Sequence, residues 1–232
     1  MSAGQLALGV KLRDDARFDN FHGERNAKAA SRLRVAIEAH SAAPSIVVCG
    51  DQDTGKSHLL QAVCHHAELS QRPAVCVSMA ELLPFGPDAL DGLEHNYVVC
   101  IDDLDRVAGR ADWEEAVFHL YNRVSDQGGQ LVISLSDLPA QLPFVLPDLI
   151  SRLRHGLLVQ MGINRDDDRM RILMARAERR GLVMSEDVAA FILKRAPRRL
   201  ADLLAALDQL DDNSLKAQRR LTIPFVKSVM DW

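Results

Sequence analysis

The chain has 232 residues, which is enough for one large domain or for a large domain with a smaller one. Hydrophobic residues make up 47% of it and charged residues 26%, an ordinary globular composition that excludes a fibrous repeat and long disordered segments. The formal net charge of -4 argues against a broad nucleic-acid-binding surface, because phosphate binding needs clustered Lys and Arg. The sequence shows neither a signal-peptide pattern nor an apolar stretch of about 18 residues that could span a membrane, so we expect a cytoplasmic protein.

Residues 1–12 have no regular period and are predicted to form a mobile N-terminal arm. Residues 13–162 alternate short apolar runs with amphipathic stretches, which predicts a three-layer α/β sandwich with a parallel sheet. Continuous apolar, β-branched runs are typical of parallel strands covered on both faces. The runs are Ser45–Cys49, Ala74–Ser78, Tyr97–Ile101, Leu131–Leu135 and Leu157–Met161, and the helical segments between them include Ser57–Ser70 and Trp113–Ser125.

Residues 163–232 contain no further strand-like run and are predicted to form a small all-helical domain. Spacing of the 3.6-residue type, with acidic residues at two of the helix starts, occurs in four segments. These segments are Arg165–Arg180, Ser185–Ala196, Arg198–Asp211 and Ile223–Met230.

The four cysteines, Cys49, Cys64, Cys76 and Cys100, are spread along the chain without a C-x-x-C pair. Three of them lie inside apolar runs, so we predict reduced thiols in the core. A metal site needs ligands clustered at short spacing, and none is expected here.

A phosphate-binding loop is predicted directly after the first apolar run. The pattern G-x-x-x-x-G-K-S is formed by Gly50, Asp51, Gln52, Asp53, Thr54, Gly55, Lys56 and Ser57, and His58 follows as a further candidate. In such a loop backbone N–H groups surround the phosphates of ADP or ATP, Lys56 reaches the β and γ oxygens, and the Ser57 hydroxyl ligates Mg²⁺. The alternative, a Gly-rich turn with a surface lysine, is disfavoured because chance produces the pattern in about 1% of chains of this length.

Paired acids at the end of the third run indicate a Walker B element. Asp102 is predicted to hold Mg²⁺, usually through water, and Asp103 to lie where a base polarises the attacking water. The alternative is that acids at a strand end cap the next turn.

Negative charge within the loop itself predicts weak ATPase activity at most. If Asp53 faces the phosphates, its charge penalises a triphosphate more than a diphosphate, and Asp51 adds to this effect. We therefore predict nucleotide binding without efficient hydrolysis.

These motifs, in their order and spacing, resemble the AAA+ domain of the replication initiator DnaA. The resemblance is carried by Phe18-Asp19-Asn20-Phe21 with Gly23, by Gly55–Val63, and by Ile101-Asp102-Asp103. It implies an AAA+ three-layer sandwich with a parallel P-loop sheet, followed by a helical lid. It also implies that Phe21 and His22 flank the adenine, with a hydrophobic plug under the sheet as the alternative.

The same resemblance assigns three further positions. Asp137, in Ser136-Asp137, looks like the sensor 1 residue that faces the γ-phosphate. Arg152, in Ser151-Arg152-Leu153, looks like an arginine finger that acts in trans on a neighbour's nucleotide. Arg198, or Arg199 in the next register, looks like the lid arginine that contacts the chain's own nucleotide; for any single arginine a solvated charge is the alternative.

The absence of a DNA-reading helix-turn-helix after the lid makes the chain similar to the Hda family of DnaA-homologous regulators, and no sequence-specific DNA binding is expected. The segment 217–227 also resembles the carboxyl end of that family. Gln5, Leu6 and Leu8 resemble its peptide for the DNA polymerase sliding clamp, with a disordered tail as the alternative. The resemblance implies that the chain, docked on a DNA-loaded clamp, promotes hydrolysis of DnaA-bound ATP and so prevents re-initiation.

Other functions remain open at this point. The main alternative is a self-acting AAA+ ATPase, such as a helicase loader, that works in a homo-oligomer. A binding adaptor with a vestigial P-loop is disfavoured by the intact Lys56, Ser57 and Asp102, and a small-molecule kinase lacks an obvious acceptor site. Because AAA+ subunits pair head to tail, a homodimer is one expectation for the free protein.

Overall fold

The computed structural model describes residues 16–39, 45–217 and 220–232. These residues form two compact units. The first contains Arg25–Gly162 together with the described residues up to Phe21, and the second contains His22–Glu24 and Ile163–Trp232. The predicted arm at residues 1–12, with Gln5, Leu6 and Leu8, lies outside the described residues.

A five-stranded parallel sheet forms the centre of the first unit. Its strands are β1 (Ser45–Cys49), β2 (Ala74–Ser78), β3 (Val98–Asp102), β4 (Gln130–Leu135) and β5 (Leu157–Gln160). The spatial order is β2-β3-β4-β1-β5, so β1 lies between β4 and β5. The carboxyl ends of parallel strands lie along one edge of the sheet. The phosphate loop follows the end of β1 and the candidate acids lie at the end of β3, so both are at this edge.

Helices cover both faces of this sheet. They are α1 (Glu24–Glu38), α2 (Lys56–Leu69), the short α3 (Met79–Leu82), α4 (Ala111–Asp126) and α5 (Pro147–His155). Alternate residues of β1 point to opposite faces: Ile46 and Val48 pack with α1 and α2, whereas Val47 packs with α4 and α5. This arrangement confirms the predicted three-layer α/β sandwich with a parallel sheet.

Four helices form the second unit around a core of its own. They are α6 (Asp166–Arg179), α7 (Glu186–Arg195), α8 (Leu200–Ala217) and α9 (Ile223–Met230). Their inward faces bring together Leu173, Ile192 and Leu207. Helix α7 begins after Ser185, whose hydroxyl accepts the Val188 N–H at 3.4 Å, as expected for an N-cap residue.

All four cysteines are free and buried, as predicted for core thiols. Among the helices of the described residues, none combines the length and the apolar character needed to cross a bilayer.

Candidate functional site

The loop between β1 and α2 has the backbone geometry of a phosphate cradle. Asp53 and Gly55 adopt positive φ angles of 63° and 98°, and Gly55 directly precedes the first residue of α2. At Gly50 the loop passes so close to Met161 that a Cβ would lie 2.9 Å from the Met161 Cβ. Glycine is therefore required at position 50 for close packing and is favoured at position 55 for its left-handed conformation.

Lys56 lies folded over this loop. The residue is only 8% exposed, and its Nζ donates to the carbonyl oxygens of Gly50 at 2.7 Å and Asp51 at 3.0 Å. The Thr54 hydroxyl also donates to the Asp51 carbonyl at 2.8 Å. Ser57, in the first turn of α2, is exposed at the positive end of the helix. The loop thus combines a cation, a hydroxyl and a helix N-terminus, which are the groups that bind a polyphosphate with Mg²⁺.

Asn26, in α1, anchors the loop from outside the motif. Its side chain accepts the Gly162 N–H at 2.7 Å and donates to the carbonyl oxygens of Gly162 at 3.0 Å and Thr54 at 3.4 Å. The side chain therefore joins the phosphate loop to the segment that follows β5. Sequence reasoning missed this residue, because a single Asn in an amphipathic helix carries no local signal of such a contact.

A buried hydroxyl connects the two acids of the Walker B element. Ser134, fully buried in β4, donates from Oγ to Asp102 Oδ1 at 2.5 Å and accepts the Asp103 backbone N–H at 2.8 Å. Asp103 has a φ of 55°, an uncommon left-handed conformation for a residue other than glycine. The bonds of Ser134 fix both the orientation of the Asp102 carboxylate and the turn at Asp103. Sequence reasoning missed Ser134 as well; its only signal was a polar residue within an apolar strand.

The carboxyl group of Asp103 is more basic than an ordinary aspartate. Burial raises its pKa, and the neighbouring charges of Asp102 and Asp105 raise it further. Lys56 and Arg106 act in the opposite direction, and Arg106 Nε lies 3.5 Å from Asp103 Oδ2. A raised pKa favours proton acceptance from a water molecule, which is the role predicted for Asp103.

Asp137 is exposed just after the end of β4, and its carboxylate caps its own turn by accepting the Leu138 N–H at 2.7 Å. Burial raises the pKa of the Cys49 thiol to about 12, and the charge of Asp137 contributes to this shift. Asp137 therefore acts electrostatically on the end of β1, where the phosphate loop begins.

The two residues predicted to flank the base have different surroundings. The Phe21 ring lies 5.2 Å from the His58 ring, between centroids, and its Cε1 atom is 3.6 Å from the position of a Cβ on Gly55. Phe21 and His58 are thus brought together beside the phosphate loop. His22 belongs to the second unit, where burial lowers its pKa and the charges of Arg179 and Arg171 act in the same direction.

The candidate arginines are all exposed. Arg152 lies on α5, and its guanidinium carbon is 5.3 Å from the centroid of the Tyr121 ring. Arg198 and Arg199 directly precede α8 in the second unit. Asp51 and Gln52 are exposed in the phosphate loop, and Asp53 is partly buried.

Two family models match the chain. The model described as "Hda, lid domain" matches residues 166–230, and the model for the bacterial DnaA ATPase domain matches residues 90–160. An uncharacterized protein of Haemophilus influenzae is 38% identical over 228 residues, which cover 98% of each chain.

Solved structures share the fold. Domain III of the Thermotoga maritima replication initiation protein DnaA superposes with a TM-score of 0.79 at 20% identity, over 94% of this chain and 97% of that one. AMPPCP-bound DnaA from Aquifex aeolicus gives a TM-score of 0.68 at 22% identity, over 85% of this chain and 65% of that one. The Thermotoga maritima RuvB Holliday junction branch migration motor gives 0.69 at 17% identity, over 95% and 72% of the two chains.

Proposed function

Since the chain belongs to the Hda/DnaA-like family of AAA+ proteins, we propose that it regulates replication initiation by promoting hydrolysis of the ATP bound to DnaA. It acts in the cytoplasm together with the DNA-loaded sliding clamp, to which the arm residues Gln5, Leu6 and Leu8 bind. Conversion of DnaA to its ADP form prevents re-initiation.

The observation that carries this proposal is the position of Arg152. Its side chain is exposed on α5 and rests on the Tyr121 ring, so it is accessible to a second protein. When water attacks the γ-phosphorus of DnaA-bound ATP, the bond to the β–γ bridging oxygen breaks and phosphate leaves, with ADP remaining on DnaA. Arg152 stabilises the charge on the transferred group, and an arginine supplied in trans accelerates such reactions by roughly 10³- to 10⁵-fold.

The protein's own nucleotide has a structural or regulatory role. Lys56 binds the phosphates, while Ser57 and Asp102 hold Mg²⁺, which neutralises phosphate charge. The negative charges of Asp51 and Asp53 favour ADP over ATP.

Three further groups complete this nucleotide site in the proposal. Phe21 and His22 flank the adenine, Asp137 faces the terminal phosphate, and Arg198 approaches from the lid, with Arg199 in the alternative register. Each of these assignments is tested by alanine substitution and titration with fluorescent ADP and ATP analogues. A Kd that is unchanged for both analogues removes that residue from the site.

The proposal is tested by single-turnover hydrolysis of labelled ATP on DnaA, with a DNA-loaded clamp and ADP present. Arg152→Ala should abolish the stimulation and leave binding of ADP to the variant unchanged. Arg154→Ala is the matched control, because Arg154 is also exposed and lies two positions further along α5. Full stimulation by Arg152→Ala contradicts the proposed role of Arg152.

The clamp contact is tested separately. A double variant, Gln5→Ala with Leu6→Ala, should lose clamp-dependent stimulation and keep nucleotide binding. Equal stimulation by the variant and the parent protein removes the arm from the mechanism.

A second function, ATP hydrolysis by the chain itself, is favoured by the placement of the Asp102 and Asp103 carboxylates side by side at the end of β3, where the Ser134 hydroxyl bonds to both residues. An AAA+ ATPase of the helicase-loader kind uses such a carboxylate to polarise water. Steady-state ATPase measurement on the isolated protein distinguishes the two functions. Substantial turnover that disappears in Asp103→Asn favours the self-acting enzyme, and negligible turnover favours the regulator.

A further inference from the structure

Helix α4 carries a fully buried carboxylate, Glu114, that bonds only to backbone groups in the contacts described. Its Oε1 atom accepts the N–H groups of Gly109 at 2.7 Å and Val145 at 3.1 Å. Its Oε2 atom accepts those of Val145 at 2.9 Å and Leu146 at 2.7 Å. Burying a carboxylate costs free energy unless hydrogen-bond donors surround it. The charge-assisted hydrogen bonds of Glu114 therefore hold the backbone at Gly109 and at Val145 and Leu146 firmly in place.

The bonds of Glu114 fix the start of α5. Val145 and Leu146 are the two residues before Pro147, the first residue of this helix. Proline has a fixed φ and no backbone N–H, so Pro147 itself donates no hydrogen bond. The last backbone N–H groups before α5 are therefore those of Val145 and Leu146, and Glu114 accepts both. Glu114 therefore helps to fix the position of the first turn of α5, together with Leu149, which is buried in the core.

The same helix supports the other end of α5. Tyr121 lies seven residues after Glu114, about two turns along α4, and is only 4% exposed. The Arg152 guanidinium carbon lies 5.3 Å from the centroid of its ring. That distance is within the range of a cation–π interaction, which is attractive and limits the directions the arginine side chain takes.

We propose that Glu114 and Tyr121 are positioning residues for Arg152. Glu114 fixes the start of α5, and the Tyr121 ring orients the guanidinium of Arg152, which extends from this helix. Preorganisation of a catalytic cation lowers the cost of placing it in the transition state. The inference rests on the proposed function, because it gives these two residues a role in the trans action of Arg152.

The test compares three variants of α4 in single-turnover hydrolysis of DnaA-bound ATP at increasing concentrations of this protein. Tyr121→Leu should lower the maximal rate about 5- to 30-fold without changing the concentration at half-maximal rate. Tyr121→Phe keeps the ring and should restore most of the rate. Glu114→Gln places an amide donor against backbone donors and should lower the maximal rate as well.

Two readouts distinguish a positioning role from a general loss of folded structure. Binding of ADP to the protein's own phosphate loop should be unchanged in Tyr121→Leu. In an Arg152→Lys background, which keeps a positive charge and so a residual rate but lacks the planar guanidinium, Tyr121→Leu should lower the rate less than it does in the parent protein, since its effect passes through the Arg152 guanidinium. If Tyr121→Leu does not bind ADP, Glu114→Gln tests the positioning role instead. A lower maximal rate with unchanged ADP binding supports that role, and a full maximal rate contradicts it.

The outcomes distinguish this inference from the function on which it rests. If Arg152→Ala is inactive while Tyr121→Leu and Glu114→Gln both give the full maximal rate, the positioning role is wrong and the proposed function stands. If Tyr121→Phe loses as much rate as Tyr121→Leu, the aromatic ring is not the supporting feature. If Arg152→Ala is fully active, the proposed function itself fails.

Discussion

Ser134→Ala removes the hydroxyl that connects the two Walker B acids. The buried Oγ donates to Asp102 Oδ1 at 2.5 Å and accepts the Asp103 N–H at 2.8 Å. A hydrogen bond to a charged group contributes about 1.5–3 kcal/mol, and an N–H left unpaired costs about 1–3 kcal/mol where it stays dry. Because Asp102 and Asp103 are partly exposed, water replaces part of the loss. We expect the free energy of unfolding to fall by about 2–3 kcal/mol in total.

For a domain of this size, such a loss lowers the melting temperature by roughly 4–12 °C. Differential scanning calorimetry measures this change, and titration with ADP at varied Mg²⁺ concentration measures the effect on the site. Mg²⁺-dependent ADP affinity should fall in Ser134→Ala, because the Asp102 carboxylate loses its fixed orientation. Ser134→Thr keeps the hydroxyl and is the control for the Mg²⁺ dependence, whereas its added methyl group at a fully buried site changes the melting temperature by itself. Unchanged melting temperature and unchanged Mg²⁺ dependence in Ser134→Ala would refute the reasoning.

Three further predictions concern stability and reactivity. Asp103→Asn removes a carboxylate whose pKa is raised by burial and by the charges of Asp102 and Asp105, so the variant should melt at a higher temperature at pH 7. Since the pKa of Asp103 is higher in the folded protein than in the unfolded chain, this gain should shrink as the pH falls towards about 4, and a pH-independent difference would contradict it. Asn26→Ala leaves the Gly162 N–H without its partner, so the free energy of unfolding measured by urea titration should fall by about 1–3 kcal/mol. Asn213→Ala, at an exposed helix position, is the control and should change this free energy little. Because all four cysteines are buried and the pKa of Cys49 is raised to about 12, a thiol reagent at pH 8 should react with them only after unfolding; rapid labelling of the native protein would show that the core opens.

Local patterns in the sequence were sufficient to predict the sheet and much of the lid. The bounds of β1, β2 and α9 agree with the predicted segments residue for residue. Continuous apolar runs and helical periodicity depend on neighbours in sequence, and a phosphate loop is itself a local motif. The family and fold implied by the resemblance are confirmed, whereas the roles of the individual site residues stay predictions.

Contacts between distant parts of the chain were not accessible to this kind of reasoning. Asn26 and Gly162 are 136 positions apart, and Ser134 and Asp102 are 32 apart. Glu114 lies in the first turn of a helix, where an acid is commonly exposed, yet it is fully buried and accepts the N–H groups of Val145 and Leu146, which are 31 and 32 positions away. Helix α8 begins at Leu200 and extends to Ala217, so the predicted segment Arg198–Asp211 started too early and ended too soon.

The most direct test of the central claim is release of labelled phosphate from DnaA preloaded with γ-labelled ATP, with and without this protein. Both arms contain DNA-loaded clamp and ADP, and a third arm omits the clamp. We expect rapid release that requires both this protein and the clamp. Release at the same slow rate in all arms, accompanied by ATP turnover by this protein alone, would contradict it and favour the self-acting ATPase.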